Sequence, residues 1–167
     1  MAFTPLQCFK KAVENEVKFI VIIFPNRSLS LNEQIVELCK ILTSSPLTEN
    51  KIVFGIMERP NRKLALKLQK AGMDYIKIQP VDKYIDPFNL VSEVREEQAI
   101  GLRKFLETLC PFLSYKPVDN QAEMITCRAY KNWLVLGGKR LHDICETKDH
   151  TRCEYFLNPR IKHDVSK

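Results

Sequence analysis

The sequence predicts an α/β fold: a parallel sheet with crossover helices, followed by a small irregular module rich in cysteine. Three observations predict it. Apolar runs at residues 17–24, 51–57 and 74–78 are short and rich in β-branched side chains, as expected of strands buried on both faces. Segments with helical spacing separate them, which is the alternation of a parallel sheet with crossover helices. From Cys110-Pro111 onward the regularity fades, and four of the six cysteines, Cys110 among them, fall in that part.

Each element has a local reason. Leu6, Phe9 and Val13 stand three and four apart, which places them on one side of a short first helix. The run Val17-Lys-Phe-Ile-Val-Ile-Ile-Phe24 is the first strand, ended by Pro25 and Asn26. Ser30 and Glu33 have capping-box spacing, in which the hydroxyl accepts from an orphan amide and the glutamate reaches back to another. Leu31, Ile35, Leu38 and Leu42 then form a helical stripe with Cys39 beside it, and residues 43–50 form a polar turn. Lys51-Ile-Val-Phe-Gly-Ile-Met57 is the second strand. Asn61 caps a third helix carrying Leu64, Leu68 and Ala71, and Gly72 takes the left-handed position that ends it. Asp74-Tyr-Ile-Lys-Ile78 is the third strand, stopped by Pro80. Residues 87–109 read as a connecting helix, with Leu102, Phe105, Leu106 and Leu109 on one face and Gly101 as a kink. The organisation expected is an α/β domain at 1–86, the connecting helix at 87–109, the cysteine module at 110–157 and a tail at 158–167.

Composition narrows the functional classes. The 167 residues are 45% hydrophobic and 28% charged, as in a folded globular protein. The net charge of +6 suits either a nucleic-acid surface or solvated helix faces, with Arg62-Lys63 and Lys139-Arg140 as local clusters. Residues 1–11 have no signal-peptide pattern, and the most apolar stretch, 19–25, is far below the roughly 20 residues a bilayer needs. A cytoplasmic location without membrane attachment is therefore expected, with cysteines present as thiols or metal ligands instead of disulfides. Neither Gly-x-Gly-x-x-Gly nor Gly-x-x-x-x-Gly-Lys-Ser/Thr occurs, so the two commonest nucleotide cradles are absent.

From about Leu6 to Val81 the chain resembles the later two-thirds of a response-regulator receiver domain. The residues that carry the likeness are Phe19-Ile-Val-Ile-Ile-Phe-Pro25, Asn50-Lys-Ile-Val-Phe54, Ala71-Gly-Met-Asp-Tyr-Ile76 and Gln79-Pro80-Val81. The resemblance implies a receiver-like sheet without its chemistry. Val21 stands where the family has its phosphoryl-accepting aspartate, and Gln79 where it has a lysine. No threonine follows the strand at Phe54-Gly55-Ile56, and the family's magnesium-binding acidic pair would lie before Met1. Phosphoryl transfer needs a carboxylate nucleophile and a held cation, so the family's switch is not expected here. A cobalamin-domain or thioredoxin-like layer shares the same strand–helix pattern, although no Asp-x-His-x-x-Gly supplies an axial histidine.

The carboxyl-terminal cysteines are spaced C-x16-C-x17-C-x7-C, as Cys110-Pro-Phe-Leu, Cys127, Cys145 and Cys153-Glu-Tyr. This pattern resembles a small cysteine-rich module that recurs in bacteria beside receiver and other signalling domains. That family often has proline after the last cysteine, where this chain has Glu154. Four thiolates are the ligand set of tetrahedral zinc or a cubane iron–sulfur cluster, with His142 and His150 as alternative ligands. No Cys-x2–4-Cys knuckle is present, and wide spacing requires a prefolded scaffold. The other reading is buried thiols acting as small hydrophobes. Cys8 and Cys39 are expected in the core, and Trp133 and Tyr155 as packing anchors.

No catalytic signature supports an enzyme. Gly-x-Ser-x-Gly and His-Glu-x-x-His are absent, and adjacent Glu96 and Glu97 point to different helix faces. A thiol enzyme would require His142 or His150 to activate Cys145. The expected function is a non-catalytic, bacterial-type regulatory protein acting through protein–protein contacts. Its four-cysteine metal or iron–sulfur site would be structural or redox-sensing. The alternatives are a zinc-stabilised nucleic-acid-binding accessory protein and, third, the thiol enzyme.

Overall fold

The computed structural model describes residues 4–25, 29–79, 100–119, 122–130 and 134–160. The chain divides into two units, Met1–Phe105 and Leu106–Lys167. The boundary expected near residue 86, the connecting helix up to residue 99, Trp133 and the tail beyond residue 160 lie outside the described residues.

In the first unit the three apolar runs become β1 (Phe19–Phe24), β2 (Ile52–Met57) and β3 (Tyr75–Ile78), paired in parallel in that order. Consecutive parallel strands need crossovers, supplied by α2 (Leu29–Ser44) and α3 (Arg62–Lys70). α2 packs on α3 and on α1 (Pro5–Glu14). Ile22, Gly55 and Ile76 are in register across the sheet. A Cβ at Gly55 would stand 2.8 Å from Met73 Sδ and 3.3 Å from Phe24 Cε2, so only glycine lets these side chains close over β2. In the alternate register Val21, Phe54 and Tyr75 stand together.

Burial on both faces holds for β2, where every residue after Ile52 is buried, but not for β1. β1 ends the strand order and leaves Ile23 41% exposed. Only a strand with neighbours on both sides is covered throughout.

Local chemistry sets the helix ends. Thr4 caps α1 by accepting from the Gln7 amide at 3.2 Å, and Asn61 caps α3 by accepting from Leu64 at 2.9 Å. Gly72 has φ +82°, the left-handed conformation that closes α3. The Met73 amide then donates to Leu68 O at 3.0 Å, and the Thr43 hydroxyl of α2 donates to Ala71 O.

Three local expectations change. α1 packs through Cys8, Phe9 and Ala12, whereas Leu6 and Val13 are exposed. The small Ala12 faces inward, and docking against α2 decides the rotation. Ser30 lies inside the first turn of α2, and Glu33 pairs with Lys67 of α3. Gly101 is no helix kink: Ile100–Gly101 forms β4, antiparallel to β3, and the Leu102 amide donates to Asp74 O at 2.7 Å. The predicted face of Leu102, Phe105, Leu106 and Leu109 is buried, the first three on α4 (Leu102–Thr108).

The second unit is more regular than expected. β5 (Leu113–Pro117), β6 (Glu123–Cys127) and β7 (Leu134–Val135) form an antiparallel sheet. Leu113 and Tyr115 are buried while Ser114 and Lys116 are not, a period-two alternation too short to stand out in the sequence. The chain continues through α5 (Gly138–Arg140), a π turn over Leu141–Cys145, a 3-10 turn over Lys148–Arg152 and α6 (Glu154–Leu157). Among the described residues no helix is long and apolar enough to cross a membrane.

Candidate four-cysteine site

The four carboxyl-terminal cysteines sit at the joints of the second unit. Cys110 precedes β5, and its amide donates to the carbonyl of Cys145 at 2.8 Å, tying the sheet entry to the π turn. Cys127 ends β6 opposite Leu113, and the Arg128 amide donates to Phe112 O at 2.9 Å. Cys145 closes the π turn. Cys153 follows the 3-10 turn, which Thr147 caps by accepting from the Asp149 amide at 3.2 Å.

Burial separates these thiols into two kinds. Cys110, Cys127 and Cys145 are at most 6% exposed, while Cys153 is half-buried. Cys110 and Cys145 pack with Leu113, Tyr115 and Leu141, flanked by Phe112, Ile125, Leu136 and Phe156. Burial pushes the Cys145 thiol up to about 12, and neighbouring Cys110, Cys127 and Cys153 add to the rise against an opposing Arg140.

Cys153 is shifted the other way. Burial alone raises its thiol, but a hydrogen bond from Arg140 and the backbone amides of Phe156 and Tyr155 outweigh that and bring it below its ordinary value. The Arg140 guanidinium stands 3.6 Å from Cys153 Sγ and lies over the Tyr155 ring, 4.7 Å from its centroid. Glu154 approaches the same guanidinium at 3.8 Å. Arg140 was visible in the sequence only as half of a basic pair, and no spacing rule links it to Cys153. Tyr155 is braced against Tyr130, with ring centroids 5.4 Å apart.

The histidines have other partners for Nδ1. That of His142 is 2.6 Å from Glu146 Oε2, whose side chain is only 6% exposed. That of His150 is 2.7 Å from Thr147 O, and its buried ring meets Phe156 edge-on at 5.1 Å. In the first unit, Cys39 on α2 is fully buried, and burial followed by the nearby Cys8 pushes it up to about 12. Burial also raises half-buried Cys8.

Among the described residues, no group of three or more His, Cys, Asp or Glu side chains is arranged to hold a metal ion. The four thiols match a soft metal centre in kind and number but not in arrangement. No family model, curated protein or solved structure matches the chain.

Proposed function

We propose that this is a non-catalytic regulatory protein whose carboxyl-terminal unit holds an iron–sulfur cluster or zinc through Cys110, Cys127, Cys145 and Cys153, and which acts through protein contacts. The observation that carries the reading is that Cys110 and Cys145, far apart in sequence, share one buried cluster and are tied by a 2.8 Å hydrogen bond from the Cys110 amide to the Cys145 carbonyl. In a unit of short strands and single turns, a metal would add cross-links between segments that are otherwise joined by one small apolar cluster. In this reading the amino-terminal unit is a receiver-like scaffold without phosphoryl chemistry. Val21, at the expected aspartate position, packs beside Phe54 and Ile56. The six free cysteines accord with a reducing, cytoplasmic setting.

Anaerobic purification followed by an absorption spectrum and metal analysis tests the proposal. Brown protein containing iron and sulfide supports a cluster, and colourless protein with stoichiometric zinc supports a structural site. Cooperatively folded protein that contains neither and takes up neither overturns it.

A further inference from the structure

His142 and Glu146 form a pair on the π turn that the four-cysteine reading does not use. His142 Nδ1 is 2.6 Å from Glu146 Oε2. The two side chains differ in access: the histidine is 55% exposed and the glutamate 6%. An ordinary surface pair leaves both groups in water. Here the carboxylate is enclosed, and the ring it holds is open. The π turn contributes, because the Glu146 amide donates to Leu141 O at 2.9 Å and fixes the backbone that carries the carboxylate.

An ionised carboxylate only accepts hydrogen bonds, so Nδ1 carries the proton and the lone pair of the neutral ring lies on Nε2. Among the described residues, Nε2 has no hydrogen-bond partner. A Cβ on Gly138 would stand 3.9 Å from His142 Cδ2 and 4.0 Å from Nε2, so glycine leaves that edge of the ring uncovered. Lys139 is exposed and precedes His142 by three residues in the same helical run, which puts an ammonium on the neighbouring turn. An imidazole held by a carboxylate, with Nε2 open, is a nucleophile. The adjacent cation favours an anionic electrophile, and phosphoryl oxygens are strong acceptors for an ammonium.

We propose that His142 is a phosphoryl-accepting histidine, modified at Nε2 by a donor with a phosphorus–nitrogen bond, with Glu146 as its positioning residue and Lys139 as counter-charge. The product holds the same kind of bond as the donor, so the exchange is close to balanced. With phosphoramidate as donor, the Nε2 lone pair forms the new bond to phosphorus. The donor's own bond to nitrogen breaks, and its electron pair leaves with ammonia. The ring keeps its Nδ1 proton and becomes an imidazolium facing the Glu146 carboxylate. This modification site does not depend on metal at the four cysteines.

The test incubates full-length protein, under reductant, with phosphoramidate and follows uptake by intact mass and phosphorus NMR. One phosphoryl group is expected, mapped to His142, stable in alkali and lost in acid. H142Q should not take it up. Loss of a carboxylate that orients a histidine costs about 10- to 100-fold, the slowing expected for E146Q. K139Q should slow uptake by less. Nitrogen NMR should place the ring proton on Nδ1 in wild type and show it shared with Nε2 in E146Q, a change that a merely structural glutamate would not produce. Circular dichroism checks that each variant is folded.

His142 reacting no faster than the histidines of urea-unfolded protein overturns the proposal, and that comparison decides even if E146Q fails to fold. Folded E146Q reacting at the wild-type rate overturns it too, and so does H142Q accepting phosphate as fast as wild type.

Discussion

Cys39 offers a direct test of how the amino-terminal unit is packed. Its thiol is fully enclosed on the inner face of α2, and burial moves it from 9.0 to about 12. In the unfolded chain the same thiol ionises at its ordinary value. Below that value both states hold the proton, and the pH contributes nothing. Above it the unfolded chain loses the proton while the folded chain retains it, so stability falls by about 1.4 kcal/mol per pH unit until the folded thiol also ionises. By pH 10.5 the accumulated loss is about 2 kcal/mol. Cys39→Ala removes the titrating group and lowers the baseline by about 1 kcal/mol through lost packing. Urea unfolding followed by circular dichroism at pH 8 and pH 10.5, under reductant, gives both stabilities. The gap between wild type and variant should narrow and then reverse sign as pH rises. A gap independent of pH would refute the claim that an enclosed neutral thiol lies between α1 and α2.

Three further outcomes follow from named contacts. Gly72→Ala should cost about 1–2 kcal/mol, because φ is +82° and the new Cβ would meet Thr43 Oγ1 at 3.0 Å; an unchanged urea midpoint would contradict that geometry. Asn61→Ala removes the acceptor for the Leu64 amide and should cost about 1 kcal/mol, whereas Asn61→Asp should retain most of it, as measured by thermal melting. Under the proposed four-cysteine reading, Cys145→Ser should abolish metal uptake while Cys8→Ser should leave it unchanged; metal bound in full by Cys145→Ser would remove that residue from the proposed ligands.

The strands of the first unit were legible because each is a short, continuous apolar run. Asn61 and Gly72 were legible because cap chemistry is local. The rotation of α1 was not, because Leu6 and Val13 satisfy helical spacing as well as Cys8 and Ala12 do. Only the partner helix distinguishes the two faces. The Leu113–Pro117 strand was overlooked because its alternation covers two inward positions, and Gly101 became strand through pairing with Tyr75, far away in sequence.

At the candidate site, cysteine number and spacing were open to inspection. Sequence alone therefore determined which thiols could serve as ligands and that the parallel strands would need crossover helices. The difference among those thiols was settled only in three dimensions. Cys145 is buried in one cluster with Cys110, whereas Cys153 faces a guanidinium that lies over an aromatic ring. Solvation and charge depend on what the folded chain brings within a few ångströms, and residues 140 and 153 meet through turns that no periodicity encodes.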